Sequence, residues 1–502
     1  MRIRMLLLAL AATWFAVAQP SSATSDLREW AGVQDEGAGA RGKVSPETIP
    51  PEPAKIAAIR KLVDAKIDAY HARMIEMNDW MYRNPEPGFQ EFKSSKMLAG
   101  DLEKHGFQVE WGVPGLEQAW PEFDKLKKIG GLPDDYDGPA YLPTAFRAKY
   151  KGKSEHPVVA IVVEYDALRA GFHGCQHNMQ GPTGIGAAIA LAETMDQNGI
   201  PGSVWVIGAP AEEVGPPSKA ALARAKYLDG ADFAFRSHGT TRSTGSAPGG
   251  YSARHIIQHR YVFRGKEAHA QRAWGSDANA LNAAQLFFHA IDMLRQHSEP
   301  QFRFHGVITD GGAAPNVVPP QATALMWVRH LMDETPQGRM SPARARELIE
   351  KKVEQMNNAA KGAALATGTQ VEIERYGTYV PSVSVGAMND LRFRYAVEYG
   401  GGNVEHSQMP AAWEETGMLT LQVPGIGVHV GNAALPEAPG HSRQNADITV
   451  SPAGHENLKL TAKTMAATAL RLVMDPELAK RVKDEHAMWV AKYNATTSNT
   501  GQ

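Results

Sequence analysis

The chain has 502 residues, 43% hydrophobic and 21% charged, with a formal net charge of −2 and a single cysteine. The near-neutral balance and the lack of a long basic run argue against nucleic acid as a partner, and one thiol excludes an intramolecular disulfide. The length allows more than one domain around a large core, and the composition is that of a globular enzyme, not a disordered chain.

The N-terminus reads MRIRMLLLALAATWFAVAQPSSATS: two arginines, an apolar run from Met5 to Ala18, then small residues. Ala-Val-Ala at 16–18 and Ser-Ser-Ala at 21–23 are candidate cleavage sites. The run is too short to span a bilayer, so residues 1–23 read as a secretory signal peptide. The expectation is an exported protein, periplasmic or secreted, with no stable membrane association once the signal is removed. Residues 24–50 read as a flexible leader. Near-helical spacing of Ile56, Ile59, Leu62, Ile67, Tyr70 and Met74 predicts a helix over 53–82, and a second is expected over 89–105, ended by Gly106. Residues 116–141, with Trp120, Phe123, Tyr136 and Tyr141, lack a period and read as an inserted loop.

A regular alternation follows. PVVAIVVEYDAL (157–168) is a near-continuous branched apolar run, as expected of a strand buried on both faces of a parallel sheet. The stretch 181–199 reads as a helix whose small residues allow close packing, 202–213 as a strand, 219–230 as a helix and 231–239 as a strand. This is the pattern of a wound α/β sheet. After SAPGGYS (246–252) the order becomes strand 255–269, helix 279–297, strands 302–312 and 323–332, helix 342–361 and strand 369–376. That β-α-β-β-α-β order predicts a ferredoxin-like domain over 251–378, inserted in a catalytic domain of 51–250 and 379–495. Ser341-Pro342 and Ser451-Pro452 mark helix starts, the latter opening a helix over about 454–473.

The chemistry-bearing residues fall where strands end: Asp166 after the first, Glu212 and Glu213 after the second, His238 after the third. In wound sheets that edge is where ligand sites form. Cys175 lies in HGCQHN (173–178), two residues from a histidine on either side. Metal ligand, reactive nucleophile or redox sensor, and small buried hydrophobe are all open for it. Its company of His177, Glu213 and His238 favours a thiolate on a divalent metal.

Taken in order, YRNPEPGFQEF, DALRAGFHGCQHN, APAEEVG, SHG, GKEAHA, NALNAA, GGAAPNVVP and PGHS resemble the M20 metallopeptidase family, in particular its amidohydrolase branch (subfamily D), over about residues 55–475. The resemblance implies an α/β fold, a zinc-peptidase-like catalytic domain with a wound mixed sheet plus an inserted ferredoxin-like dimerisation domain. It implies two divalent ions per subunit, zinc or manganese, with Cys175 bridging them and His177, Glu213, His238 and His441 as the other ligands. By the same resemblance Asp166 supports the ligands from behind and Glu212 is the general base and acid. His269 reaches a neighbouring subunit's site in a homodimer, and Asn316 contacts the carboxylate end of the substrate. Three positions depart from the family pattern: Arg169 stands in place of a proline, Gln176 in place of a glycine and Asn178 in place of an aspartate. His173, His255, His289, His305, His429 and His455 read as structural or surface residues. The resulting expectation is an exported metal-dependent amidohydrolase acting on N-acyl or aminobenzoyl amino acid conjugates. The alternatives are a dipeptidase or exopeptidase that needs a free amino terminus, a silent binding protein for such conjugates, and an enzyme using Cys175 as nucleophile.

Overall fold

The computed structural model describes residues 49–113, 142–214, 218–402, 404 and 417–498, apart from 241–242, 244, 253, 332–333, 336–337 and 340–341, and 433. The expected signal peptide, nearly all of the leader, all of the 116–141 loop and the Ser341 cap lie outside the described residues.

Helices α1 (Ala54–Arg83) and α2 (Phe92–Lys104) come first. Strands β1 (Gln108–Trp111), β2 (Phe146–Tyr150) and β3 (Val158–Val163) precede helix α3 (His177–Gln197). Then come β4 (Ser203–Gly208), α4 (Ser218–Arg224) and β5 (Phe233–Ser237). The next group is β6 (Arg254–Arg264), α5 (Ala280–Gln296), β7 (Phe302–Asp310), β8 (Gln321–Leu331), α6 (Pro342–Ala366) and β9 (Gln370–Tyr379). The chain closes with α7 (Gly386–Glu398), β10 (Gly425–Val428), α8 (Pro452–Met474) and α9 (Pro476–Ser498).

The larger sheet has six strands in the order β1-β2-β4-β3-β5-β10. The strands β4, β3, β5 and β10 pair in parallel, and β2 and β1 add an antiparallel edge. Both faces of β3 are covered, which is why its sequence shows no polar alternation. Val159, Ile161 and Val163 join the core under α1, α3 and α8, while Val158, Ala160 and Val162 join a second core on the opposite face with Leu222 and Leu419. The small residues of α3 bring its backbone onto the sheet: a Cβ at Gly184 would collide with Val163 Cγ1 and lie 3.1 Å from Ile161 Cγ2.

The smaller sheet has the order β9-β6-β8-β7, antiparallel throughout, as a β-α-β-β-α-β fold requires. One face of β6, with Ile257, Tyr261 and Phe263, packs on Phe287 and Ile291 of α5 and on Ile349 and Met356 of α6. Asn279 caps α5, its side-chain oxygen accepting from Leu281 N and Asn282 N. The other face turns Leu325, Trp327 and Tyr376 towards the second core of the larger sheet. The chain crosses between the two sheets twice. The crossings pair side by side as a two-stranded antiparallel ribbon, with Ser382 opposite Ser252 and Ser384 opposite Gly250.

Several boundaries differ from the expected ones, each for a local reason. α2 starts at Phe92 because Phe89 is left-handed (φ 68°) and the Glu86 carboxylate accepts from Lys93 N and Ser94 N, closing the turn before it. α4 stops at Arg224, and Lys226 (φ 54°) breaks any continuation to 230. β4 stops at Gly208, so Glu212 and Glu213 sit on a loop. α3 starts at His177, before the expected 181. Helices α7 and α9 have no counterpart among the expected elements. Among the described residues, no helix is long and apolar enough to cross a membrane.

Replacing Gly184 by valine is expected to lower unfolding free energy by about 1–3 kcal/mol, the typical cost of overpacking a close contact. Chemical denaturation of both proteins measures it, and an unchanged midpoint would mean that α3 relaxes freely from β3.

Candidate metal centre and active site

Asp166 lies just past β3, and its carboxylate ties two other elements together. Oδ1 accepts from His177 Nδ1 at 3.0 Å, and Oδ2 accepts from Glu213 N at 2.9 Å. The first bond turns His177 Nε2 away from the carboxylate; the second fixes the loop after β4. Gln176, immediately before α3, is left-handed (φ 63°), and its amide donates to Asn445 O and Oδ1. Gly174 O accepts from His441 N and Asn445 Nδ2, so the 173–176 turn is stitched to the segment bearing His441. A Cβ at Gly239 would strike the Gln176 side chain, so the glycine of SHG is required where Gln176 fills the space.

These constraints gather the candidate ligands. Cys175 Sγ is 3.3 Å from His238 Nε2, and His441 Nε2 is 3.5 Å from Glu213 Oε2. His177 Nε2 is 3.7 Å from Glu212 Oε2. Ligand atoms within 4.8 Å of one another form three sets: Cys175, His177 and His238; Cys175, Glu213 and His441; His177, Glu212 and Glu213. Cys175 belongs to the first two. His238 Nδ1 donates to Gly239 O, which leaves Nε2 facing the sulfur.

The protonation directions match a site that gives up protons to a cation. Burial pushes the Cys175 thiol up to about 12. Burial also pushes the Glu213 carboxyl up to about 8, against His177, with Glu212 and Asp166 adding to the rise. Burial drives the His238 imidazole down to about 3, neutral and ready to ligate. His177 is held well above its usual range: burial opposes this, but Cys175 and Asp166 outweigh it. His177 Nε2 and Glu213 Oε1 are buried without a hydrogen-bond partner. Sulfur, imidazole and carboxylate donors with two orphaned buried atoms fit divalent ions of the zinc type.

His269 and Asn316 are not among these residues. Both residues are exposed, on a short two-stranded antiparallel pairing of 268–269 with 317–318, with Ala270 N donating to Asn316 O at 2.9 Å. His269 Nδ1 accepts from Gln271 N.

Other residues around the centre escape a reading of the sequence. Glu164 is fully buried, accepts from Arg236 Nε at 2.8 Å and Nη2 at 2.7 Å, and pairs with Lys219. Burial alone would raise its carboxyl, but Arg236 and Lys219 hold it well below the usual range. It lies 3.5 Å from His177 Nε2, and Lys219 Nζ is 3.8 Å from Glu212 Oε1, so this ion cluster backs the site. The available signal is a charged residue inside an apolar strand, in VVEYDAL and again in FRSHG. His429, read as structural or surface, has its ring 6.2 Å from that of His238. His305, read the same way, lines a cavity of about 550 Å³ with Glu213, Arg169, Trp327, Arg329 and Tyr376.

The M20 peptidase dimerisation domain matches residues 251–361, the stretch that forms most of the smaller sheet and both its helices. The chain is 27% identical to a p-aminobenzoyl-glutamate hydrolase component of Escherichia coli, covering 85% of this chain and 95% of that protein. By this domain and by relatives that span most of its length, the chain resembles the M20 peptidases and amidohydrolases. An Xaa-Arg dipeptidase of Mus musculus is also 27% identical, covering 86% of this chain and 93% of the relative. Among solved structures, an aminobenzoyl-glutamate utilization protein from Klebsiella pneumoniae superposes with a TM-score of 0.55 at 19% identity, covering 82% of this chain and 98% of that one. A dinuclear metal-binding M20 peptidase from Bacillus subtilis gives 0.51 at 21% identity, covering 81% and 99%. By their names, these relatives act on amide bonds.

Replacing Glu164 by glutamine leaves Arg236 and Lys219 buried against a neutral amide. The expected loss is about 3–5 kcal/mol of unfolding free energy. An unchanged urea midpoint would mean that the two cations find other partners and the cluster is not needed for folding.

Proposed function

We propose that the protein is an exported, two-metal amidohydrolase that releases an amino acid from an N-acyl or aminobenzoyl conjugate. The carrying observation is that Cys175 is shared by two donor groups, one with His177 and His238, the other with Glu213 and His441. These five residues hold two divalent ions, zinc or manganese, with Cys175 as the common ligand. When bound, such ions acidify a water and polarise the scissile carbonyl. Glu212 stands beside the set, outside both sulfur-containing groups. Burial raises its carboxyl, against Lys219, which suits a group that takes a proton from water and hands it to the departing amine.

Arg329 recognises the carboxylate of the leaving amino acid. Its Nε donates to His305 Nε2 at 2.9 Å and its guanidinium lies 5.5 Å from the Trp327 ring, a braced fork of the kind that binds carboxylates bidentately. The exposed pairing of segments carrying His269 and Asn316 serves the site of a second copy in a homodimer, a reading supported by the matched dimerisation domain. Export rests on the signal-like pattern of residues 1–23. A dipeptidase activity at the same site is the second reading, favoured by the Xaa-Arg dipeptidase relatives.

The test is hydrolysis of p-aminobenzoyl-glutamate by the protein lacking residues 1–23, before and after chelation and after return of zinc or manganese. Activity lost on chelation and recovered with metal is expected. Glu212→Gln is expected to lower kcat by roughly 10²–10⁴-fold with metal content unchanged. Turnover confined to free-amine dipeptides would favour the dipeptidase. A protein that neither binds metal nor turns over any amide would refute the proposal.

A further inference from the structure

We propose that Glu91, in the YRNPEPGFQEF stretch, is a positioning residue for the general base: it holds Ala211 left-handed and so aims the Glu212 carboxylate. This rests on the amidohydrolase reading above, in which Glu212 moves the proton.

The 86–91 stretch touches both loops that meet at the site. Its backbone takes the turn after β3, with Ala167 N donating to Glu86 O at 2.8 Å and Pro87 forming a parallel bridge with Ala167. Gly88 lies against the loop after β4. A Cβ there would be 2.6 Å from Val214 Cγ2 and 3.0 Å from Ala211 Cα, so a side chain at 88 would push that loop away. Glu91 is the N-cap residue of α2, but its carboxylate serves this loop instead of the helix. Fully buried, it accepts from Ala211 N at 2.7 Å through Oε1 and from Thr144 Oγ1 at 2.9 Å through Oε2. Thr144 is fixed in turn by Tyr165, whose hydroxyl donates to Thr144 O at 2.6 Å.

Ala211 has φ 54°, a conformation that residues with a Cβ adopt at a cost. A buried amide without an acceptor would add to that cost. The Glu91 bond removes the second cost and holds the residue against the first. Two residues on, Asp166 Oδ2 accepts from Glu213 N at 2.9 Å. Glu212 is therefore suspended between two amides, each gripped by a buried carboxylate from a different segment. Without the grip on Ala211, that residue relaxes towards negative φ and the Glu212 side chain turns with it. A displacement of about 1 Å at a reacting group costs up to roughly 100-fold in rate.

The experiment measures p-aminobenzoyl-glutamate hydrolysis by the metal-loaded protein and three variants. Glu91→Met fills the space without an acceptor, Glu91→Gln keeps an acceptor, and the third joins Glu91→Met to Ala211→Gly. Glycine takes the left-handed conformation without steric cost. Glu91→Met is expected to lower kcat by roughly 10–100-fold with KM nearly unchanged. Glu91→Gln should stay near the parent, and Ala211→Gly should return part of the loss. A loss of equal size in Glu91→Gln, or no recovery with Ala211→Gly, overturns the proposal, since Glu91 would then serve packing alone. Should Glu91→Met not fold, Thr144→Val removes the bond that orients the carboxylate and is expected to lower kcat in the same direction; an unchanged kcat there overturns the proposal. Hydrogen exchange of the 209–214 segment needs no turnover. The Ala211 amide is expected to exchange roughly 10-fold faster in Glu91→Met and to stay protected in Glu91→Gln. If no conjugate is hydrolysed, the amidohydrolase reading fails, while that exchange pattern still supports Glu91 as the holder of the loop. Equal exchange in the parent and Glu91→Met overturns it.

Discussion

The site depends on the Asp166 carboxylate more than on any ligand. One oxygen holds the imidazole of His177 and the other holds the backbone of Glu213, so a single planar group sets the distance between the start of α3 and the loop after β4. Those two segments are far apart in the chain, and each is irregular where it matters. Gln176 and Ala211 are left-handed, conformations that cost energy for residues with a Cβ. Hydrogen bonds compensate: Asn445 takes the Gln176 amide, and the buried Glu91 carboxylate accepts from Ala211 N at 2.7 Å. Burial pushes the Glu91 carboxyl up to about 8, with Asp166 adding to it, so a second acid sits behind the same loop.

Around this constraint the protein separates its charges. On the open side lie the candidate ligands Cys175, Glu213 and His238, whose neutral forms burial favours. On the closed side Glu164, Arg236 and Lys219 form a buried ionic group whose charges satisfy one another. Buried pairs seldom add net stability over an apolar core of the same shape, but they hold geometry firmly because each partner is costly to leave alone. Here the fixed geometry backs His177 and Glu212. The ionic group gives the candidate ligands a rigid wall.

Much of this is legible from residue order. The buried run at 157–163 and the β-α-β-β-α-β order of 255–376 signal the two sheets, because burial on two faces and a ferredoxin-like order each leave a period in the sequence. Cys175, His177, Glu212, Glu213, His238 and His441 are legible because metal-binding types recur at strand ends and in the family's motifs, and the structure brings them together with Asp166. Glu164 and Arg236 are not, because a charge within an apolar strand is interpretable only when its partner is known, and Lys219 and Arg236 come from other elements. His305 is exposed, as read, and its place on a cavity wall with Arg169 escapes the sequence for a similar reason: the wall is built by separate elements, and no local pattern reports it. His269 and Asn316 are expected at an active site, but a single chain puts them on a separate two-stranded pairing. Local backbone chemistry explains the rest, as at Phe89 and Lys226, where left-handed residues end helical patterns that side-chain spacing alone would extend.

The paired crossings at 250–252 and 382–384 have a mechanical meaning. Two strands hydrogen-bonded to each other twist as one body, and they resist splaying far more than they resist rotation about their common axis. The two crossings are therefore held at one spacing, and the small-sheet face bearing Leu325, Trp327 and Tyr376 stays seated against the second core.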